Sequence, residues 1–243
     1  RSVLSTMPLL NLGFYDWAII TDHHLKHTFL YAANQHSATA EQVRHILSLW
    51  NSTSNEKREF QIVDNVHALM TKEHYEYGFN EIKKALKQGR SYQVNFTQPF
   101  QAPYNGDTWA MYQQISQNNP VPFSAFLRFA EEDILSFSPE RFLLADEKNV
   151  LTSPIKGTIH RADDAAKDEQ LKMQLLSSAK NRAENIMIVD LLRNDLGKIA
   201  RTGSVKVLSL CEAQSYNSVH HLVSTIEAQC RTDMNPLDLF LSC

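Results

Sequence analysis

The stretch PFSAFLRFAEEDILSFSPERFLLADEKNVLTSPIKGT, residues 122–158, decides the fold class. Its runs FSAFLRF, ILSFS, RFLLA and VLTS are built from aromatic, aliphatic and β-branched residues, and acidic or Asn-containing turns separate them. Short strands following one another without intervening helices predict antiparallel sheets rather than a doubly wound parallel one.

Outward from this stretch the period changes. Residues 164–197 predict a long helical segment, broken near Ser177-Ser178 and stopped at Gly197, after which SVKVLSL and VHHLVSTIEAQ return to strands. Upstream, Tyr75, Phe79, Ile82 and Leu86 form one face of a helix that starts after Thr71 and ends at Gly89, followed by a strand YQVNFTQPF. Residues 16–33 predict two strands around an Asp-His-His turn, and Thr39 with Gln42 makes a capping-box pattern before Val43, Ile46, Leu47 and Trp50. The polar run NSTSNEKRE, 51–59, is the expected linker between an N-terminal segment, 1–58, and a catalytic region, 59–243. The element order gives an α+β architecture.

Composition narrows the function classes. With 43% hydrophobic residues the chain can bury a core, and a formal charge of -3 argues against nucleic acid and anionic membranes as partners. No apolar stretch reaches the roughly 20 residues of a membrane span, and the opening RSVLSTMPLL lacks the layout of a signal peptide. The chain does not begin with Met, so it is expected to start inside a longer protein. Cys211, Cys230 and Cys243 are far apart, which fits a reducing, cytoplasmic compartment better than a disulfide framework. His23 and His27 fall on the expected hairpin and are read as exposed, not as a metal pair.

Candidate chemistry clusters downstream of residue 138. In the helix NRAENIMIVDLLRNDLG, 181–197, the apolar run predicts a largely buried element whose carboxylates Glu184, Asp190 and Asp195 need partners among Arg182, Arg193 and Lys198. Glu184 is placed in its first turn, where a positive helix end could face a cleft. In SPE, Pro139 breaks the ladder and turns Glu140 away from the sheet. Glu140 and Lys156 each also admit a plain reading as solvated turn residues. Of the adjacent His220 and His221, alternation sends one to the core and one to the opposite face.

SPERF, then PIKGT, then RAENIMIVDLLRNDLG, then VHHLVST form one ordered series. It resembles the chorismate-utilising enzymes, from about Gly13 to the last residue, and implies their fold of antiparallel β-sheets packed face to face with helices outside. In the isochorismate and salicylate branch a lysine stands where this chain has Gln93; in the anthranilate synthase branch PIAGT replaces PIKGT. Lys156 therefore resembles the aminodeoxychorismate synthase branch, which aminates chorismate at C4.

That resemblance implies Lys156 as a nucleophile, Glu140 as general acid, His221 as a hydrogen-bonding group against the ring, and Gly157 and Thr158 as backbone binders of a substrate carboxylate. It further implies Glu184 as a ligand of Mg²⁺ and a glutamine amidotransferase subunit as the source of ammonia. The alternatives are an anthranilate synthase component I and a non-catalytic chorismate-binding remnant. The series ends at DLFLSC, before the family's second Mg²⁺ carboxylate, so the chain is expected to be incomplete and inactive by itself.

Overall fold

The computed structural model describes residues 8, 10–50, 52, 58–146 and 148–242. Most of the expected linker, most of the opening stretch and Cys243 lie outside them. The chain divides into two compact units, Arg1–Arg58 and Glu59–Cys243.

In the first unit β1 (Trp17–Asp22) pairs antiparallel with β2 (His27–Ala32), and α1 spans Thr39–Leu49. The Asp22 carboxylate accepts the backbone N–H groups of His24 and Leu25, which makes the turn, and His23 and His27 are exposed on it. The capping box does not form. Thr39 lies inside α1, buried, with its hydroxyl on the Asp16 carboxylate, and Gln42 accepts from the Trp17 indole.

The second unit opens with β3 (Phe60–Ile62), β4 (His67–Ala68), α2 (Lys72–Lys87), β5 (Phe100–Gln101), β6 (Tyr104–Gly106) and α3 (Thr108–Asn118). Thr71 caps α2 by accepting from the His74 N–H, and Gly89 ends it at φ +68°. The strand predicted over 92–100 is corrected: only its last residue enters β5, and 91–98 belongs to no strand and runs beside a cavity. The α3 helix begins where Asp107 accepts the Trp109 N–H. It packs Trp109 and Tyr112 against Phe126 and Phe137 of β7 (Phe123–Arg128) and β8 (Asp133–Ser138).

A five-stranded antiparallel sheet forms the centre. It contains β9 (Arg141–Ala145), β10 (Asn149–Ser153), β11 (Ile155–His160), β12 (Lys206–Ser215) and β13 (Val219–Gln229). Along one edge of β13 run β10 and then β11, one strand broken at Pro154; β12 takes the other edge. His220, Leu222, Ser224, Ile226 and Ala228 are all buried, so the even-numbered face of β13 is the core face.

The helices α4 (Ala165–Ser177) and α5 (Ala179–Ile199) supply the other side of that core, with Val189, Leu196 and Ile199 against Val150, Ile226 and Ala228. The break falls at Ser178, whose hydroxyl caps α5 by accepting the Asn181 N–H. Gly197 does not stop α5. The helix continues because Ile199 is buried and its last carbonyls are bonded, Lys198 O by the Arg231 guanidinium and Ile199 O by the Arg231 N–H. A last helix, α6 (Pro236–Ser242), adds Leu239 to the core. No helix among the described residues is long and apolar enough to cross a membrane.

Candidate active site

Every site residue expected from the sequence lies on or beside the β11–β13 seam or on α5, and one irregularity in β11 sorts them. Ile155 pairs with Val223 and Thr158 with His221, so the ladder gains a residue between them. In an unbroken strand Lys156 and Thr158 would share a face. The bulge puts Thr158 on the face of Ile155 and His221 and turns Lys156 toward α5.

Gly157 makes the bulge possible for two reasons. Its φ is +99°, a backbone state costly for residues with a Cβ. A Cβ there would also stand 3.0 Å from Asn181 Cβ and 3.3 Å from Leu175 Cδ1, at the junction of the two helices.

Lys156 lines a cavity of about 490 Å³ with Ser91, Gln93 and Asn95 on one side and Met187, Ile188 and Leu191 of α5 on the other. The wall is therefore apolar on the helix side and rich in amides opposite. The Gln93 Oε1 is buried with no hydrogen-bond partner among the described residues. An acceptor left unpaired in this way is unfavourable.

The helix α5 is only partly buried, contrary to the sequence expectation: Ile186 is 38% exposed and Leu191 54%. Its stripe Asn185, Val189, Leu192, Leu196 and Ile199 faces the core, while Met187, Ile188 and Leu191 face the cavity. Glu184 stands three, four and seven residues before those three, so it prolongs the cavity stripe. Because α5 starts at Ala179, Glu184 occupies the second turn and not the first; its carboxylate is half-exposed and 3.9 Å from Lys180. Asp190 and Asp195 pair with Arg193 and Lys198 as expected.

Glu140, Thr158 and His221 form a second group. Glu140 is exposed, but it is not a free turn carboxylate: Oε1 accepts the Ile155 N–H at 2.8 Å, and its backbone N–H is held by Ser138 Oγ. The Thr158 hydroxyl meets His221 Nδ1 at 2.8 Å, and the Tyr216 ring packs edge-on against the imidazole at 5.3 Å. Burial holds the His221 pKa below its ordinary value, and the nearby charge of Glu140 opposes that fall. Glu140 and His221 do not line the Lys156 cavity; the bulge lies between the two groups.

His220 faces the other way and is buried. Its Nε2 lies 3.0 Å from Asp168 Oδ1 and its Nδ1 2.8 Å from Ser215 Oγ. Asp168 also receives the Arg161 guanidinium at 2.7 Å and the Ala162 N–H at 3.0 Å. This clamp ties α4 to the ends of β11 and β13. Sequence reading missed it because Arg161, Asp168 and His220 share no local spacing.

Among the described residues no group of three or more His, Cys, Asp or Glu side chains could hold a metal ion. Glu184 thus offers one hard oxygen donor, which suits a cation completed by substrate oxygens and water.

Residues 2–243 match the family of chorismate binding enzymes. The chain is 41% identical over 233 residues to "Aminodeoxychorismate synthase component 1" of Escherichia coli, covering 96% of this chain and 50% of that protein. It is 43% identical over 172 residues to "Aminodeoxychorismate synthase, chloroplastic" of Arabidopsis thaliana, over 69% of this chain and 19% of that one. Among solved structures, anthranilate synthase component I from Streptococcus pneumoniae superposes with a TM-score of 0.82 at 24% identity, covering 94% of this chain and 52% of that one. The chain spans about half the length of the bacterial proteins named "Aminodeoxychorismate synthase component 1" that it matches.

Proposed function

The chain belongs to the chorismate-binding enzyme family, and from that premise we propose that it carries part of the active site of an aminodeoxychorismate synthase. The reaction is replacement of the C4 hydroxyl of chorismate by an amine, on the way to para-aminobenzoate and folate. The single observation that carries this reading is Lys156, turned out of the regular strand row by a bulge and set in a cavity facing α5.

A direct displacement at C4 with retained configuration is stereochemically awkward, and two displacements avoid the difficulty. In the first, the unprotonated Lys156 amine bonds to C2, both ring double bonds shift (C1–C2 to C1–C6 and C5–C6 to C4–C5), and the C4 hydroxyl leaves as water with a proton from Glu140. In the second, ammonia bonds to C4, both double bonds shift back and the C2–N bond breaks, so that the lysine nitrogen departs as the amine. Backbone groups of Gly157 and Thr158 would hold a substrate carboxylate, and His221 would lie against the ring. The Ile155 N–H anchor holds Glu140 one residue from Lys156 along the chain, and a ring bound across the bulge would have to reach both groups.

Mg²⁺ is the proposed cofactor, with Glu184 as its one ligand from this chain; when bound, the ion would neutralise and orient a substrate carboxylate. The "component 1" in the names of the bacterial relatives supports a partner component, for which a glutamine amidotransferase supplying ammonia is proposed. With one proposed metal ligand among the described residues and about half a relative's length, the 243 residues by themselves are expected not to turn over chorismate.

Lys156→Ala tests the reading. In the complete enzyme, ammonium-dependent formation of aminodeoxychorismate is expected to fall at least about a hundredfold. Undiminished formation would overturn the covalent route.

A further inference from the structure

The polar groups at the centre of the second unit's core are not scattered. Asn185, fully buried, is the one polar side chain in the α5 core stripe, between Glu184 and the apolar run that continues to Ile199. Its Nδ2 donates to Leu222 O at 3.1 Å, and its Oδ1 accepts the Ser224 hydroxyl. Ser224 Oγ in turn accepts the Cys211 N–H at 2.9 Å, at a residue of β12 with φ +56° where that strand is bulged. The Ser224 N–H donates to Pro154 O at 3.1 Å on the other edge of β13. Next along the chain the Ile155 N–H reaches Glu140, and the following residue is Lys156.

We propose that Asn185 is a positioning residue: its carboxamide docks α5 on the segment Leu222–Ser224, between the two bulges, and so sets Glu184 relative to Lys156, Glu140 and His221. This rests on the proposed amination site, since those are the groups being placed. A buried amide at a helix–sheet contact is fully bonded in one rotation of the helix about its axis, whereas an apolar residue tolerates several. Successive helix residues lie about 100° apart, so any rotation that frees Asn185 swings its neighbour Glu184 by the same angle. The bonds from Ser224 to Cys211 and Pro154 extend the same constraint to both edges of β13.

Asn185→Leu tests it, with ¹H–¹⁵N spectra recorded without metal, chorismate or ammonia. The expected result is a cooperative melt in which the folded-state signals of Ile155, Lys156 and His221 are displaced from their wild-type positions. A lowered melting temperature with those signals unmoved would overturn the proposal, leaving Asn185 a core residue that only stabilises. Should that variant not fold, Asn185→Gln decides. It keeps both hydrogen-bonding groups but carries them one methylene farther from the helix, so it cannot meet Leu222 O and Ser224 with α5 in its wild-type place. The three signals are expected to be displaced in this variant too; signals at wild-type positions would overturn the proposal. These readouts use no substrate, so their failure is distinct from a failure of the Lys156→Ala assay.

Discussion

Glu140 Oε1 accepts the backbone N–H of Ile155 at 2.8 Å, which ties the carboxylate to the residue immediately before Lys156. The bond has a structural and a chemical side, and a substitution separates them. Glu140→Gln keeps an acceptor oxygen for Ile155 but has no proton to give a leaving hydroxyl. Its melting temperature is expected to stay at the wild-type value while amination by the complete enzyme falls about 10²–10⁴-fold. An equal loss in both measurements would mean that Glu140 only shapes the turn.

Gly157→Ala is expected to cost about 1–3 kcal/mol, because a positive φ and a 3.0 Å approach to Asn181 penalise the same Cβ. Urea unfolding at unchanged m-value measures it. Gly203, also at positive φ but with nothing within 4 Å of where a Cβ would stand, is the control that isolates the backbone part.

Gln93→Met removes the orphaned buried Oε1 without changing volume much. Stability is expected to hold or rise by up to about 1 kcal/mol, since an unsatisfied buried acceptor is unfavourable. Ammonia-dependent turnover by the complete enzyme is expected to fall in the same variant, because Gln93 shares the cavity wall with Lys156. A clear loss of stability would show that the amide is structural.

The Arg161 guanidinium, with help from the Ala162 N–H and His220, holds the Asp168 carboxyl well below the usual carboxylate range. A carboxyl whose folded pKa lies below its unfolded value, near 3.9, stabilises fully above that value and loses its contribution as pH falls through the folded pKa. Asp168→Asn is therefore expected to be less stable than wild type at pH 7, with the gap narrowing steadily below about pH 4. Thermal melts across that range check it; a gap independent of pH would remove the charge from the explanation.

What the sequence made legible followed local chemistry. The alternating runs of 122–158 became β7 to β11, the Thr71 cap and the Gly89 stop bounded α2, and Ser178 broke the long helix. Of the histidine pair, His220 went inward and His221 outward. Tertiary contacts decided the rest. Arg231 prolonged α5 past Gly197 by binding its final carbonyls, and Asp16 drew Thr39 away from a capping role. The α3 helix was missed although Asp107 before Trp109 offered a cap signal. The motif order singled out Lys156, Glu140, Glu184 and His221 as candidates, but the bulge that divides Lys156 from Thr158 is a matter of register between strands more than sixty residues apart.

The place of β13 also bears on how this chain acquires its shape during synthesis. Residues 219–229 are the common partner of β10, β11 and β12, and the first two were made some seventy residues earlier. A hairpin of β12 and β13 closes over a short span, but the sheet cannot close until that late strand has left the ribosome. Until then the apolar rows of β10 and of α5 wait without a partner, an interval in which a chaperone, or another nascent copy, has its best opportunity to bind.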